Sequence, residues 1–275
     1  MQEIRCRWSP TLGALEDTAE KVWGTKPYNP ETDSELPTVF FGLYGLPDFY
    51  ALWRHKGKKW ILWAGTDVTH FKNGYWLEEG GGISIDRGAL AQWIQKCCES
   101  YCENQVEREA LLKCGISATV CPSFLGDVNL PISYNHSAVP RVYASVSGDN
   151  FHQYGWYEIE KLAQKHKDIE FHLYGNRAPW VSDNSNVIVH GRVPKEQMNQ
   201  EIANMQGGIR MLQFDGFSEV LAKSILMGQW PISLISYPFI LSVEDLGTLK
   251  DRKEPNSAGR EYYQMVLNNY PWNTK

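Results

Sequence analysis

A polar turn that leads into an apolar helix is the stretch of this sequence best suited to binding chemistry. Residues 215–218 (DGFS) precede an apolar run that contains one lysine, Lys223, and ends at Gly228. Ser218 is a good N-cap, and the backbone N–H groups at a helix start have no partner within the helix. Gly216 lets a ligand approach the backbone closely. Because free N–H groups and the helix dipole favour an anion, the turn is a candidate phosphate site, with an ordinary serine-capped helix as the alternative.

The composition favours a globular protein of two domains. The chain has 275 residues, of which 43% are hydrophobic and 21% are charged. A net charge of −5 gives no basic footprint for nucleic acid, so no nucleic-acid partner is expected. No apolar stretch approaches the roughly 20 residues of a membrane span, which leaves peripheral membrane contact open. The first residues lack an apolar signal core and the six cysteines lack zinc-type spacing, so we expect a cytoplasmic protein with reduced thiols.

Strand-like and helix-like segments alternate along both halves of the chain. Short apolar runs predict strands at residues 38–44, 60–64, 96–101, 117–121, 141–146, 169–175, 187–190 and 209–212, with helical patterns between most of them. This alternation is typical of parallel sheets covered by helices. The segment 126–139 lacks periodicity and predicts a linker, which gives a first domain at 1–125, a second at 140–258 and a C-terminal tail at 259–275. Two such Rossmann-like α/β domains are expected to face a cleft at the carboxyl ends of their strands.

The order of elements around the polar turn resembles the second domain of GT-B glycosyltransferases. The retaining branch of that fold (the E-x7-E type of family 4) has an acidic residue, a Gly-Phe-Gly turn and a helix that carries a second glutamate. Asp215 matches the first acid, while Gly216, Phe217 and Ser218 match the turn. Lys223 stands where the second glutamate is expected.

Further landmarks of the same domain follow in order. Residues 143–155 (YASVSGDNFHQYG) resemble its first strand and loop and end at Tyr154-Gly155. Residues 169–175 (IEFHLYG) resemble its second strand and end at Gly175. Residues 187–198 (VIVHGRVPKEQM) contain Gly191 and Val193, and the tail 259–272 resembles the closing helices that return toward the first domain. The first half resembles the acceptor-side domain less sharply, at residues 55–67 with His70 and at residues 98–122.

The resemblance implies a nucleotide diphosphate sugar as donor and a glycan or other hydroxyl compound as acceptor. Asp215 is expected to hold hydroxyls of the donor sugar, with the amides of Gly216, Phe217 and Ser218 on its phosphate. Residues 191–193 are expected to frame the base. The cations that the family carries on the first loop of this domain are missing, and the replacements there are His152 and Tyr154 beside Gly155. Arg210 and Lys223 are therefore the candidates that neutralise the diphosphate.

Three positions keep alternatives open. Glu219 precedes Lys223 by four residues, which is the favourable order for an ion pair on a helix surface. Asp67 and His70 are candidates for acid–base chemistry on the acceptor, although an aspartate at a strand end also caps the following turn.

These residues predict metal-independent glycosyl transfer with retention of configuration. The sequence has no D-x-D pair to hold a cation, so neither a metal nor another cofactor is expected besides the nucleotide sugar as co-substrate. An epimerase acting on a nucleotide sugar shares the fold and is one alternative. The other is a catalytically silent sugar-binding or nucleotide-binding protein.

Overall fold

A computed structural model describes residues 3–74, 86–148, 151–176 and 181–273 of the chain. Within these ranges, the side chains of residues 13–19, 147–148 and 151–152 are not described. The chain divides into two compact units. The first unit comprises Met1–Asp127, Phe214–Phe217 and Val266–Lys275, and the second comprises Val128–Gln213 and Ser218–Met265.

The first unit is built on a parallel sheet of six strands. In spatial order these are β2 (Lys26–Pro27), β1 (Arg5–Trp8), β3 (Thr38–Phe41), β4 (Lys59–Trp63), β5 (Glu99–Cys102) and β6 (Ala118–Val120). All neighbouring strands pair in parallel. The accompanying helices are α1 (Glu16–Trp23), α2 (Leu46–Arg54), α3 (Thr66–Asn73), α4 (Arg87–Cys97) and α5 (Gln105–Lys113).

Both faces of this sheet are covered, which explains why β3 and β4 are continuous apolar runs. Phe40, Ile61 and Trp63 pack on one face with the apolar sides of α2 to α5. Their strand neighbours point to the other face, where they pack with Trp23 and Trp272. Each strand predicted in the first half overlaps an observed strand, but the bounds at 96–101 were wrong, because Lys96 and Cys97 end α4 and β5 begins only at Glu99. Strand β4 stops before Gly65 as predicted, and helix α3 begins at Thr66.

The second unit contains a parallel sheet of five strands. In spatial order these are β11 (Ile232–Ser233), β10 (Gly207–Arg210), β7 (Arg141–Gly148), β8 (Glu170–Asn176) and β9 (Val187–Gly191). Its helices are α6 (Trp156–Lys165), α7 (Lys195–Ile202), α8 (Glu219–Leu226) and α9 (Ser257–Asn268), whose last residues belong to the first unit. One apolar cluster is centred on Trp156 and Phe171, and a second is centred on Tyr143 and Tyr174.

The strand order changes direction once in each sheet. In the first unit β1 lies between β2 and β3, and in the second unit β7 lies between β8 and β10. Open α/β sheets bind ligands beyond the carboxyl ends of their strands at such switch points. The fold is therefore the expected α/β architecture with two parallel sheets. Among the described residues, no helix is long and apolar enough to cross a bilayer.

Candidate functional site

Three carboxyl groups are buried at the carboxyl ends of β4 and β5 in the first unit. Asp67 lies in the first turn of α3, Glu103 follows β5, and Glu107 lies in the first turn of α5. Their exposed fractions are 0%, 5% and 0%. Burial of carboxylates is costly unless hydrogen bonds replace the lost water, so their partners define what they do.

Asp67 fastens two loops to the start of its own helix. Its Oδ1 accepts from the N–H of Ala64 at 3.0 Å and of Val68 at 2.8 Å, and its Oδ2 accepts from the N–H of Leu43 at 3.0 Å. Burial raises the pKa of Asp67 to about 6, although these three donors oppose that shift. A carboxyl group so enclosed stabilises the loop after β3 and has no exposed surface for an acceptor.

Glu107 performs the same task between β4 and β5. Its Oε1 accepts from the N–H of Gly65 at 2.7 Å, and its Oε2 accepts from the N–H of Glu103 at 2.6 Å. Burial, followed by the negative charge of Glu103, raises the pKa of Glu107 well above its usual range.

Glu103 and Asn104 form hydrogen bonds with the polar turn at residues 215–218. The Oε2 atom of Glu103 accepts from the N–H of Phe217 at 2.9 Å, while its Oε1 accepts from the N–H of Ser123 at 3.2 Å and from the Ser123 hydroxyl. Asn104 donates from Nδ2 to the carbonyl oxygen of Asp215 at 2.6 Å. Its Oδ1 also caps α5, so one side chain joins the helix start to the turn. Burial raises the pKa of Glu103 to about 8, and the charges of Asp215 and Asp67 act in the same direction.

Two glycines allow this close approach. A Cβ atom at Gly216 would lie 2.0 Å from Oε2 of Glu103. A Cβ atom at Gly65, whose φ is +86°, would lie 3.1 Å from the backbone nitrogen of Gly216. The turn therefore rests on the strand ends with its backbone in direct contact, which side chains at these positions would prevent.

The turn differs from its sequence-based description in one respect. The Phe217 amide was expected to be unpaired, and this is wrong because the buried Glu103 carboxyl accepts from it. Ser218 does cap α8, since its Oγ accepts from the N–H of Leu221 at 3.3 Å. Asp215 itself is half-buried. His70 lies on α3 with Nδ1 3.4 Å from the carbonyl oxygen of Tyr44.

In the second unit, Arg210 and Tyr154 meet at the switch point. Arg210 is the last residue of β10, and Tyr154 ends the 3-10 turn Phe151–Tyr154 that follows β7. The guanidinium carbon lies 4.8 Å from the centroid of the Tyr154 ring, which is a cation–π contact. The side chain of His152, in the same turn, lies outside the part of the chain that the structure describes.

The glycines of this unit are explained partly by backbone packing. Gly155 has a φ of +78°, and a Cβ atom there would lie 2.0 Å from the carbonyl oxygen of Met211. At Gly175 the corresponding distance, to the carbonyl oxygen of Val146, is 2.1 Å. Gly191 differs, because within the described ranges the atom nearest to a Cβ there would be the carbonyl oxygen of Asn176, at 3.9 Å. Val193 is half-buried and packs against the Tyr143 cluster.

Lys223 is already paired. Its Nζ lies 2.7 Å from a carboxylate oxygen of Glu219, and it donates to Oδ1 of Asn199 on α7 at 3.4 Å. With 17% of its side chain exposed, the ammonium is tied to its own helix surface. The i,i+4 ion pair foreseen as the alternative is confirmed.

A cluster on β8, β9 and α7 was not foreseen. His190 stacks on Tyr174 with ring centroids 4.2 Å apart, and its Nε2 lies 2.8 Å from Nδ1 of His172. Glu201 accepts from the Tyr174 hydroxyl at 2.7 Å. Burial lowers the pKa of His172 to about 4 and also lowers that of His190. Within the described residues, neither this cluster nor any other groups three His, Cys, Asp or Glu side chains in positions suited to a metal ion.

Glu103, Glu107 and Asn104 were missed because residues 103–113 predict a charged helix, and nothing in that pattern marks a buried carboxyl group. The spacing of the two glutamates, four residues apart on either side of the N-cap residue Asn104, was the available signal.

Solved structures of known proteins share this architecture. HepE from Anabaena, crystallised with UDP, is 10% identical, and the likeness covers 98% of this chain and 97% of HepE with a TM-score of 0.53. Sucrose-phosphate synthase from Thermosynechococcus elongatus is 13% identical, with 84% of this chain and 69% of that chain covered and a TM-score of 0.55. The chain has the GT-B fold.

TarM is 12% identical, and the likeness covers 95% of this chain with a TM-score of 0.50. The chain spans only about half of TarM, since 56% of that protein is covered. No protein-family model and no curated protein sequence matches the chain. At these identities the comparisons show the GT-B fold, and the chemistry has to be argued from the site.

Proposed function

We propose that this protein is a glycosyltransferase that moves a sugar from a UDP-sugar to a hydroxyl group of a glycan or other acceptor. The observation that carries the proposal is the likeness to HepE, which extends over almost the whole of both chains and includes a structure with bound UDP. The neighbour sucrose-phosphate synthase is named for a synthesis that joins sugars, which supports transfer over epimerisation. Transfer with retention and without a metal belongs to the same proposal and follows from the resemblance of the sequence motif.

The second unit binds the nucleotide in this proposal. Among the described residues, none lies closer than 3.9 Å to a Cβ atom placed at Gly191, so the backbone there is assigned to approach a base, with Val193 beside it. Arg210 supplies the positive charge for the diphosphate, and the Tyr154 ring holds its guanidinium in place. Gly155 and Gly175 shape the loops at the strand ends through their contacts with Met211 and Val146.

The phosphate amides are displaced by a few residues from the position that the sequence suggested. The Phe217 amide is engaged by Glu103, whereas the first bond inside α8 runs from the N–H of Ala222 to the carbonyl oxygen of Ser218. The N–H groups of Glu219 and Val220 precede that bond and are assigned to the phosphate, together with the positive end of the helix dipole.

The first unit contributes Asp215, which is proposed to hold hydroxyls of the transferred sugar. Glu103 and Asn104 are positioning residues, because they fix the backbone on both sides of Asp215. His70 is retained as the acid–base candidate toward the acceptor, since it is half-buried while Asp67 is enclosed. Asp67 is assigned to holding the loop after β3.

The proposal is tested first by nucleotide binding. Thermal unfolding is recorded with UDP, GDP, ADP, CDP and dTDP and with their glucose conjugates. A ligand at about a hundred times its dissociation constant adds roughly 2.7 kcal/mol, which shifts the midpoint of a chain of this size by a few degrees. We expect a shift with UDP and UDP-glucose, and product analysis with sugar acceptors then tests transfer.

A matched pair of variants locates the site. Arg210→Gln is expected to weaken UDP binding about tenfold to a hundredfold, because a charge-assisted contact to phosphate is lost. Arg252→Gln is the control, since Arg252 makes a similar cation–π contact, 4.4 Å from the Trp230 ring, in the same unit. Absence of any nucleotide shift contradicts the proposal, and binding without turnover favours the silent binding protein.

A further inference from the structure

A groove of about 700 Å³ lies in the first unit and has no part in the site described above. Its floor includes the last residues of β1 up to Trp8, one wall is the segment 28–34, and the other wall is the exposed side of α2. This volume lies within the range of small-molecule sites. The groove begins at the carboxyl end of β1, beside the point where the strand order of this sheet changes direction.

Aromatic rings and two charged side chains line the groove. Trp8, Tyr28 and Tyr50 contribute rings, and Tyr50 has 37% of its surface exposed. Arg54 and Glu31 are both exposed, and neither side chain has a hydrogen-bond or ion-pair partner among the residues that the structure describes. Aromatic faces bind the apolar faces of sugar rings, while guanidinium and carboxylate groups bind pairs of hydroxyls.

The charges of the lining cancel. Arg7, which also lines the groove, is neutralised by Asp48, with Nη1 2.5 Å from Oδ1. The free charges of Arg54 and Glu31 are opposite in sign, so the groove has no net preference for an ion. A lipid chain fits poorly because charged groups stand on the groove walls. The hydroxyls of an uncharged polyhydroxyl ligand can hydrogen-bond to both Arg54 and Glu31, while its apolar faces pack on the aromatic rings.

One loop connects this groove to the buried carboxyl groups. The N–H groups of Tyr44 and Gly45 donate to Oδ2 of Asp48 at 2.8 and 3.1 Å, and Asp48 is paired with the groove residue Arg7. The N–H of Leu43 donates to Asp67, and the Tyr44 hydroxyl donates to the carbonyl oxygen of Ala64 at 2.6 Å. The loop is thus fixed at both ends, and it runs from the groove wall to the strand end where the Asp215 turn is held.

We propose that this groove is an acceptor subsite for a neutral saccharide, in which Tyr28 and Tyr50 stack on sugar rings and Arg54 and Glu31 bind their hydroxyls. Calling the saccharide an acceptor rests on the glycosyltransferase function proposed above. Saccharide binding in the groove does not depend on that function, because all residues of the groove belong to the first unit, whereas the nucleotide is assigned to the second. The proposal narrows the acceptor from any hydroxyl compound to an uncharged glycan.

Binding is measured by saturation-transfer difference NMR and by calorimetry with cellotriose, maltotriose and mannotriose, and with trigalacturonic acid as the charged counterpart. At least one neutral trisaccharide is expected to bind, with an affinity that changes little between 50 and 500 mM salt, as for an uncharged ligand. Tyr50→Ala and Arg54→Gln are each expected to weaken that binding about tenfold.

Two variants serve as matched controls. Trp53→Ala removes an aromatic ring of the same helix that is 57% exposed and is not part of the groove. Arg108→Gln removes an exposed guanidinium on α5. Both are expected to bind the trisaccharide as the unaltered protein does.

The results separate this proposal from the function on which it rests. Failure of every neutral trisaccharide to bind at 10 mM overturns the groove assignment, as does equal binding by Tyr50→Ala and the unaltered protein. If trigalacturonic acid binds more tightly than the neutral trisaccharides and in a salt-sensitive way, the assignment of an uncharged ligand is overturned. UDP binding is measured in the same samples: UDP without saccharide binding leaves the transferase proposal standing alone, and saccharide binding without UDP leaves the groove as a sugar-binding site only.

Discussion

Replacement of Glu103 by glutamine should change how the stability of the protein depends on pH. The Glu103 carboxyl accepts from the Phe217 amide on one oxygen and from Ser123 on the other. A glutamine of the same shape retains the first bond through its carbonyl oxygen. Its NH2 group can donate to the Ser123 hydroxyl but faces the Ser123 N–H, so a modest loss of about 1 kcal/mol is expected at pH 5.

The sign of the pH effect follows from the raised pKa. A carboxyl group that binds its proton more tightly in the folded state stabilises the protein fully below its unfolded pKa, near 4.5, and loses that contribution as the pH rises through about 8. Each pH unit between the unfolded and the folded pKa lowers the free energy of unfolding by about 1.4 kcal/mol. A few kcal/mol are therefore lost between pH 5 and pH 9. The glutamine variant cannot ionise at this position, and it also removes one of the charges that raise the pKa of Glu107.

Urea unfolding at five pH values from 5 to 9, followed by tryptophan fluorescence, measures this difference. Trp60, Trp63 and Trp272 lie in the core of the first unit and report on it. Glu109→Gln is the control, because Glu109 lies on the exposed side of α5. We expect the fall in unfolding free energy to be a few kcal/mol smaller in Glu103→Gln than in the control. Equal pH dependence in the two variants refutes the assignment of a raised pKa to Glu103.

Four further outcomes are expected. Gly216→Ala should destabilise the protein by about 1–3 kcal/mol in urea unfolding, because its Cβ would lie 2.0 Å from Oε2 of Glu103. Asp215→Asn should lower the rate of sugar transfer by roughly a hundredfold with UDP affinity unchanged, and an unchanged rate contradicts its role on the donor sugar. Lys223→Met should leave UDP affinity within about twofold in calorimetry, since the ammonium is engaged by its own helix. His172 should stay neutral at pH 6 in an NMR titration, because its pKa in the folded protein is lowered to about 4. Stability is then lost as the pH falls from 6.5 toward 4, since the unfolded state binds a proton at this histidine that the folded state does not.

The apolar strands could be predicted because burial on both faces leaves a local signature. The segment KWILW of β4 is buried throughout, and its sequence alone identifies it. Strand β1, RCRW, gives no such signal because two of its four residues are arginines. Arg5 and Arg7 are accommodated by ion pairs with Asp33 at 3.0 Å and with Asp48 at 2.5 Å. Because these ion-pair partners lie 28 and 41 residues away along the chain, local periodicity cannot reveal them.

The same limitation applies to the candidate site. The resemblance made Asp215 and the strand-end glycines candidates, and the missing loop cations made Arg210 one; all of these follow from local order along the chain. It could not show that the Phe217 amide is occupied, because its acceptor Glu103 lies 114 residues earlier in the sequence. Nor could the composition of residues 103–113 distinguish a buried glutamate from an exposed one, since both occur in the first turn of a helix.

The hydrogen bonds around the turn bear on the role proposed for Asp215. A group that a ligand must first order costs conformational entropy on binding, whereas a group fixed in advance does not. The carbonyl oxygen of Asp215 accepts from Asn104, and the amide two residues later donates to Glu103. These bonds within the first unit therefore preorganise the backbone of Asp215. They also occupy the Phe217 amide, which is then not available to bind phosphate. In the proposed transferase, the positive charge toward the diphosphate is assigned to Arg210 on the Tyr154 ring, so donor binding should depend most strongly on that residue.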